Sequence, residues 1–98
     1  MFVLYTYDVE SKRCHKFRKI LIKYLGHEQN SVFFGDIKMS TLKLLRDELK
    51  NILNENDKIF ELSTENRNNV NIEILKKFNN NKVGKVNHDL HKKDFMIL

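Results

Sequence analysis

The chain has 98 residues, 41% of them hydrophobic and none of them proline or tryptophan, enough for one domain with a modest core. Eighteen Lys and Arg against 13 Asp and Glu leave a net charge of +5 and a pI near 9.4, which favours an acidic partner such as nucleic acid. A lone cysteine, Cys14, excludes an internal disulfide, no apolar stretch reaches the ~20 residues of a membrane span, and no signal-like segment is visible; together these predict a soluble, cytoplasmic protein without membrane contact.

The first stretch, MFVLYTYDVE, is apolar or aromatic at Met1, Phe2, Val3, Leu4, Tyr5 and Tyr7, interrupted only by Thr6. Such density predicts a strand buried on both faces. Asp8 stands where the strand should leave the core, and a carboxylate there is costly unless something pairs with it. It either marks the strand end, or caps the next element, or serves as a metal ligand at the mouth of a sheet. From Lys12 to Leu25, apolar residues at Phe17, Ile20, Leu21, Tyr24 and Leu25 keep helical spacing, with Ser11 as N-cap and Gly26 ending the helix.

Residues 27–37 read as extended structure, apolar at Val32, Phe33 and Phe34, with Gly35 permitting a turn or bulge. Ser40 is the expected N-cap of a second helix that turns Leu42, Leu45, Leu49 and Ile52 inward. Asn54, Asn56 and Asp57 break it, and a strand runs from Lys58 to Leu62. The order strand, helix, hairpin, helix, strand predicts an α+β, ferredoxin-like sandwich over residues 1–65, with both helices on one face of an antiparallel sheet. Val70, Ile72 and Ile74 alternate with Asn71 and Glu73, which suggests an extra C-terminal strand on the sheet or on another subunit. Residues 79–87 read as a polar loop, and the apolar end, Phe95 to Leu98, is expected to dock on a partner.

Six basic residues and no acid lie between Lys12 and Lys23, so the first helix carries a cationic face opposite its apolar stripe. A solvated face is the ordinary explanation. The one-sidedness favours contact with a phosphate backbone through Lys12, Arg13, Lys16, Arg18 and Lys19, with no motif for reading bases. His88, Asp89, His91 and Asp94 form a small cluster that reads better as solvated tail than as metal site. One Asp8 is too little to hold a divalent cation. Mg²⁺, however, uses one or two carboxylates with water and phosphate oxygens, and a symmetric homodimer would supply two copies of Asp8.

Asp8 within YTYDV, the basic first helix, QNSVFFGDI and DKIFEL together resemble the small CRISPR-associated Cas-two family over roughly residues 1–65. Its most specific pieces are Asp8 and the triplet Ser31, Val32 and Phe33 running into Gly35 and Asp36. The resemblance implies a ferredoxin-like homodimer whose residues 66–98 supply a C-terminal strand and tail that pack on the partner subunit or the integrase. It also implies a role in spacer acquisition, in which the dimer bridges two Cas-one integrase dimers and supports a double-stranded DNA protospacer. Family members are further described as metal-dependent endonucleases on RNA or DNA. Carried over, Asp8 is the catalytic and Mg²⁺-binding residue, one ion sits between the two Asp8 of a dimer, and single-stranded RNA is a further substrate. His27 and Glu28 stand where the family often has an arginine. A toxin-like ribonuclease of the virulence-associated protein D family, similar in fold, is the alternative.

Overall fold

A computed structural model describes residues 1–77 and 83–86. In chain order it has β1 (Phe2–Asp8), a 3-10 turn (Ser11–Arg13), α1 (Cys14–Tyr24), β2 (Gly26–Gln29), β3 (Val32–Asp36), α2 (Met39–Ile52) and β4 (Lys58–Thr64). A second 3-10 turn (Arg67–Asn69) then leads to β5 (Ile74–Lys77) and β6 (Val83–Val86). The first four strands form one antiparallel sheet in the order β2-β3-β1-β4, and β5 pairs with β6 in a separate ribbon. Two helices on one face of that sheet give the ferredoxin-like α+β fold.

Alternation along the strands divides the sheet into two surfaces. Val3 and Tyr5 of β1 and Phe33 of β3 face the helices, where Phe17 and Leu21 of α1 and Leu42, Leu45 and Leu49 of α2 close the main core. These helix residues recur at the spacing of one helical face, so a single stripe from each helix covers the sheet. Tyr5 is an apolar body with a polar tip: its hydroxyl donates to Glu61 of β4, which Arg46 of α2 binds with Nε at 2.9 Å and Nη2 at 2.8 Å. On the opposite surface Phe2 and Phe34 form a second, smaller cluster under Val70 and Ile72.

The element ends differ from the expected ones for local reasons. Neither Ser11 nor Ser40 caps a helix. Arg13 N–H bonds to the Glu10 carbonyl at 2.8 Å to close the 3-10 turn that leads into α1, and Leu42 N–H bonds to the Lys38 carbonyl at 2.9 Å. Leu25 is already extended, so Gly26 opens β2 instead of ending the helix through a left-handed turn. The hairpin turns at Asn30, whose φ of 39° lies in the left-handed region that Asn tolerates, and the irregularity falls between His27 and Gln29. Gly35 lies within β3, opposite Val3.

The C-terminal strand expectation is also corrected. Val70 and Ile72 belong to no strand; they cover the Phe2–Phe34 end of the sheet, and pairing begins at Ile74. Residues 83–86, inside the stretch expected to be a polar loop, form β6. The His88–Asp94 cluster and Phe95 to Leu98 lie outside the described residues.

Candidate metal and nucleic-acid site

Asp8 is the last residue of β1, exposed, in register with Lys58, the first residue of β4. Because side chains alternate, Asp8 shares the surface of Phe2, Leu4 and Thr6, away from the helices. Thr6 is also in register with Val32 and Phe60, and its hydroxyl oxygen lies 3.2 Å from that of Ser31. The carboxylate thus stands at one corner of the open surface, beside a hydroxyl pair and an exposed aromatic ring.

The triplet Ser31, Val32 and Phe33 does three different jobs. Ser31 reaches Thr6, Val32 continues the open surface, and Phe33 is fully buried against the helices. Phe33 is also the centre of an aromatic row. Tyr7 stacks on Phe17 at 5.5 Å and on Phe33 at 6.2 Å between ring centroids, and His27 stacks on Phe33 at 4.4 Å. Burial pushes the Tyr7 phenol above its ordinary range. His27 does not stand in for an arginine, because its ring lies on Phe33 and its Nε2 is 2.7 Å from the Asn30 carbonyl.

The five basic residues nominated on the first helix divide. Lys16, Arg18 and Lys19 are exposed and make no ion pair among the described residues, whereas Lys12 is exposed with Glu10 at 3.4 Å. Arg13 is committed inward. Its Nε and Nη2 bond the two oxygens of Asp57 at 3.3 and 2.7 Å, Nη2 also donates to the Ile52 carbonyl at 2.6 Å, and the guanidinium lies 5.8 Å from the Phe17 ring. Asp57 in turn accepts from the Asn54 N–H at 2.8 Å, and Arg13 holds its carboxyl below the usual range. Arg13 therefore ties the start of α1 to the end of α2, and its charge is spent there. Asp57 was readable in the sequence only as a helix breaker; nothing local identified its partner 44 residues away.

Asp8 alone does not make a closed metal site. Among the described residues no three His, Cys, Asp or Glu side chains converge on one point. That donor set does fit Mg²⁺, which keeps most of its waters and takes one or two carboxylates, and it fits poorly with zinc, which needs three or four protein ligands. Among the described residues no helix is long and apolar enough to cross a membrane.

A family model described as CRISPR associated protein Cas2 matches residues 1–72. The chain belongs to the Cas2 family. A CRISPR-associated endoribonuclease Cas2 3 of Thermodesulfovibrio yellowstonii is 40% identical over 67 residues, covering 67% of this chain and 76% of that protein. A CRISPR-associated endoribonuclease Cas2 of Methanosarcina acetivorans is 34% identical over 76 residues, covering 76% and 87% respectively. Among solved structures, Streptococcus pyogenes Cas2 at pH 6.5 aligns with a TM-score of 0.61 and 30% identity, covering 74% of this chain and 98% of that one. The Cas2 match takes in Asp8, the triplet and α1, and stops before β5 and β6.

Proposed function

We propose that this Cas2 protein is a homodimeric nucleic-acid-binding subunit of the CRISPR spacer-acquisition complex, bridging Cas-one integrase dimers on a DNA duplex, and that it carries a Mg²⁺-dependent endonuclease activity on RNA or DNA. The observation that carries the reading is the placement of Asp8: exposed at the end of β1, on the sheet surface that the helices leave open. A second copy packed on that surface about a two-fold axis beside the end of β1 would bring a second Asp8 to the same place. Several relatives are named endoribonucleases, which supports the hydrolytic part.

In this reading the two Asp8 carboxylates would hold Mg²⁺, and the chemistry it would supply when bound is activation of water and stabilisation of charge on the phosphodiester. The remaining work belongs to the chain. Lys16, Arg18 and Lys19 bind the phosphate backbone, and the Ser31–Thr6 hydroxyl pair fixes the hairpin against β1 beside Asp8. The aromatic row holds Tyr7, and so the strand end, in place.

The replacement Asp8→Asn keeps size and removes the charge. Mg²⁺-dependent cleavage should fall by at least roughly 100-fold, since loss of even an outer partner of a metal site commonly costs 10–100-fold. Folding and spacer acquisition with the Cas-one integrase should persist, because they rest on the dimer and the basic surface. Undiminished cleavage by the variant would remove Asp8 from the site. Lost acquisition in a folded dimer would make the catalytic carboxylate part of the adaptation role.

A further inference from the structure

The corner at Asp8 holds a second charge. Asp8 ends β1, Lys58 begins β4, and the two are in register across the antiparallel ladder. Directly opposed residues share a face of the sheet, with Cβ atoms about 4.5–5.5 Å apart. Lys58 therefore stands on the open surface with Phe60 and Leu62, next to the carboxylate read as a metal ligand. Both residues are exposed. Opposite charges so placed attract, yet among the described residues neither Asp8 nor Lys58 has an ion-pair partner, the other included.

Their neighbouring acids are already engaged. Asp57, the residue before Lys58, is bonded by Arg13 through both carboxylate oxygens, and Glu10, two residues after Asp8, pairs with Lys12 at 3.4 Å. With Asp8 given to a metal ion, the charge of Lys58 is available to an anion bound at the same corner. Lys58 also links that corner to the cationic face of α1. Asp57 is held below the usual carboxylate range first by Arg13 and further by the nearby charge of Lys16, so the exposed face of α1 reaches the start of β4.

We propose that Lys58 is the phosphate-binding residue of the Asp8 site: its ammonium holds an oxygen of the phosphodiester and stabilises the negative charge that builds there during cleavage. A compact ammonium on a flexible stem suits this role, which is one of charge and hydrogen bonding, not of proton transfer. The phosphate backbone carries no base information, so the contact is indifferent to sequence. The inference rests on the reading of Asp8 as the metal ligand, and its test separates the two.

K58Q removes the charge, K58R keeps it, and D8N removes the carboxylate. Three quantities are measured on the full chain: Mg²⁺-dependent cleavage of labelled RNA and duplex DNA, salt-dependent binding of the duplex in EDTA, and binding of Mn²⁺ alone by electron paramagnetic resonance. K58Q should lower kcat/KM for cleavage at least roughly tenfold. Its salt slope should flatten by about 0.9, the share of one phosphate. Mn²⁺ binding should tighten by roughly two- to fivefold, because a like charge has left the side of the carboxylate. K58R should keep all three at the parent values. Mn²⁺ binding that weakens together with cleavage would show a merely structural role and overturn the proposal, as would unchanged cleavage and slope in K58Q; loss of cleavage in D8N would then leave Asp8 standing alone. Cleavage retained in D8N, with a flattened slope in K58Q, would overturn the Asp8 reading and support Lys58 as a phosphate contact. No Mg²⁺-dependent cleavage by the unaltered chain would overturn both. Should circular dichroism show that K58Q does not fold, K58M, which keeps the stem, takes its place.

Discussion

Arg13 and Asp57 form the kind of pair in which each partner depends on the other. The Asp57 side chain is only 4% exposed and that of Arg13 14%, so removing either leaves a charge or a polar group without its match. Asp57, Glu48 and Glu61 are all held below the usual carboxylate range, by hydrogen bonds from Arg13, Lys23 and Arg46 respectively. Such groups bind a proton more weakly in the fold than in the unfolded chain. Their contribution is complete above the unfolded values near about 4 and is lost as pH falls through the lowered folded values. Thermal unfolding followed by circular dichroism should therefore show a midpoint that declines below about pH 4. Arg13→Gln should lower the midpoint at neutral pH by several degrees and make the acid decline shallower, because Asp57 then has little to lose. Parallel declines in the two proteins would show that the pair is not their source. Phe33 tests packing in the same way: Phe33→Ala should cost about 3–5 kcal/mol in denaturant unfolding, as expected for an aromatic ring removed from a filled core. The end of β1 at Asp8 and the burial of Phe33 were legible because one residue closes an apolar run and the other sits inside one. The inward role of Arg13 was not, since a long-range partner leaves no local mark.

At the scale of elements, α1 carries two stripes that meet different demands. Phe17 and Leu21 are buried, while Lys16, Arg18 and Lys19 on its other sides are exposed. Replacing those three by Gln should weaken duplex binding at least tenfold and flatten the salt slope by as much as about 2.7. Arg13→Gln should leave the slope unchanged while lowering the unfolding midpoint, so binding and stability come apart on one helix. A flattened slope in the Arg13 variant would mean that its charge reaches nucleic acid after all. Helix stripes and the first strand were readable because their periods, 3.6 and 2, extend over many residues. The helix starts were not: Ser11 and Ser40 have cap chemistry, but backbone bonds to the Glu10 and Lys38 carbonyls set those ends. β6 escaped for another reason. Val83–Val86 comes after a run of asparagines, and a four-residue strand owes its existence to its partner more than to its own composition.

For the whole molecule, the order of elements dictated the ferredoxin-like layers, whereas the surface left open by the helices became visible only once the strands were in register. Phe60 and Leu62 of β4 lie opposite Thr6 and Leu4, so they share the surface of Asp8, and they remain 57% and 37% exposed. The segment carrying Val70 and Ile72 covers the Phe2–Phe34 end, where the Arg67 guanidinium lies 5.0 Å from the Phe2 ring, and does not bury Phe60 or Leu62. A modest core with an apolar sheet surface beside its proposed metal ligand is best completed by a second copy. Light scattering should give about twice the chain mass of 11.8 kDa at micromolar concentration. Phe60→Asp with Leu62→Asp should yield a folded monomer, because neither side chain is buried in the single chain, and should abolish Mg²⁺-dependent cleavage by separating the two Asp8. Duplex binding per chain should survive, since α1 is untouched. A wild-type monomer, or a doubly substituted chain that still dimerises, would place the subunit contact elsewhere. A folded monomer that still cleaves would show that one Asp8 suffices.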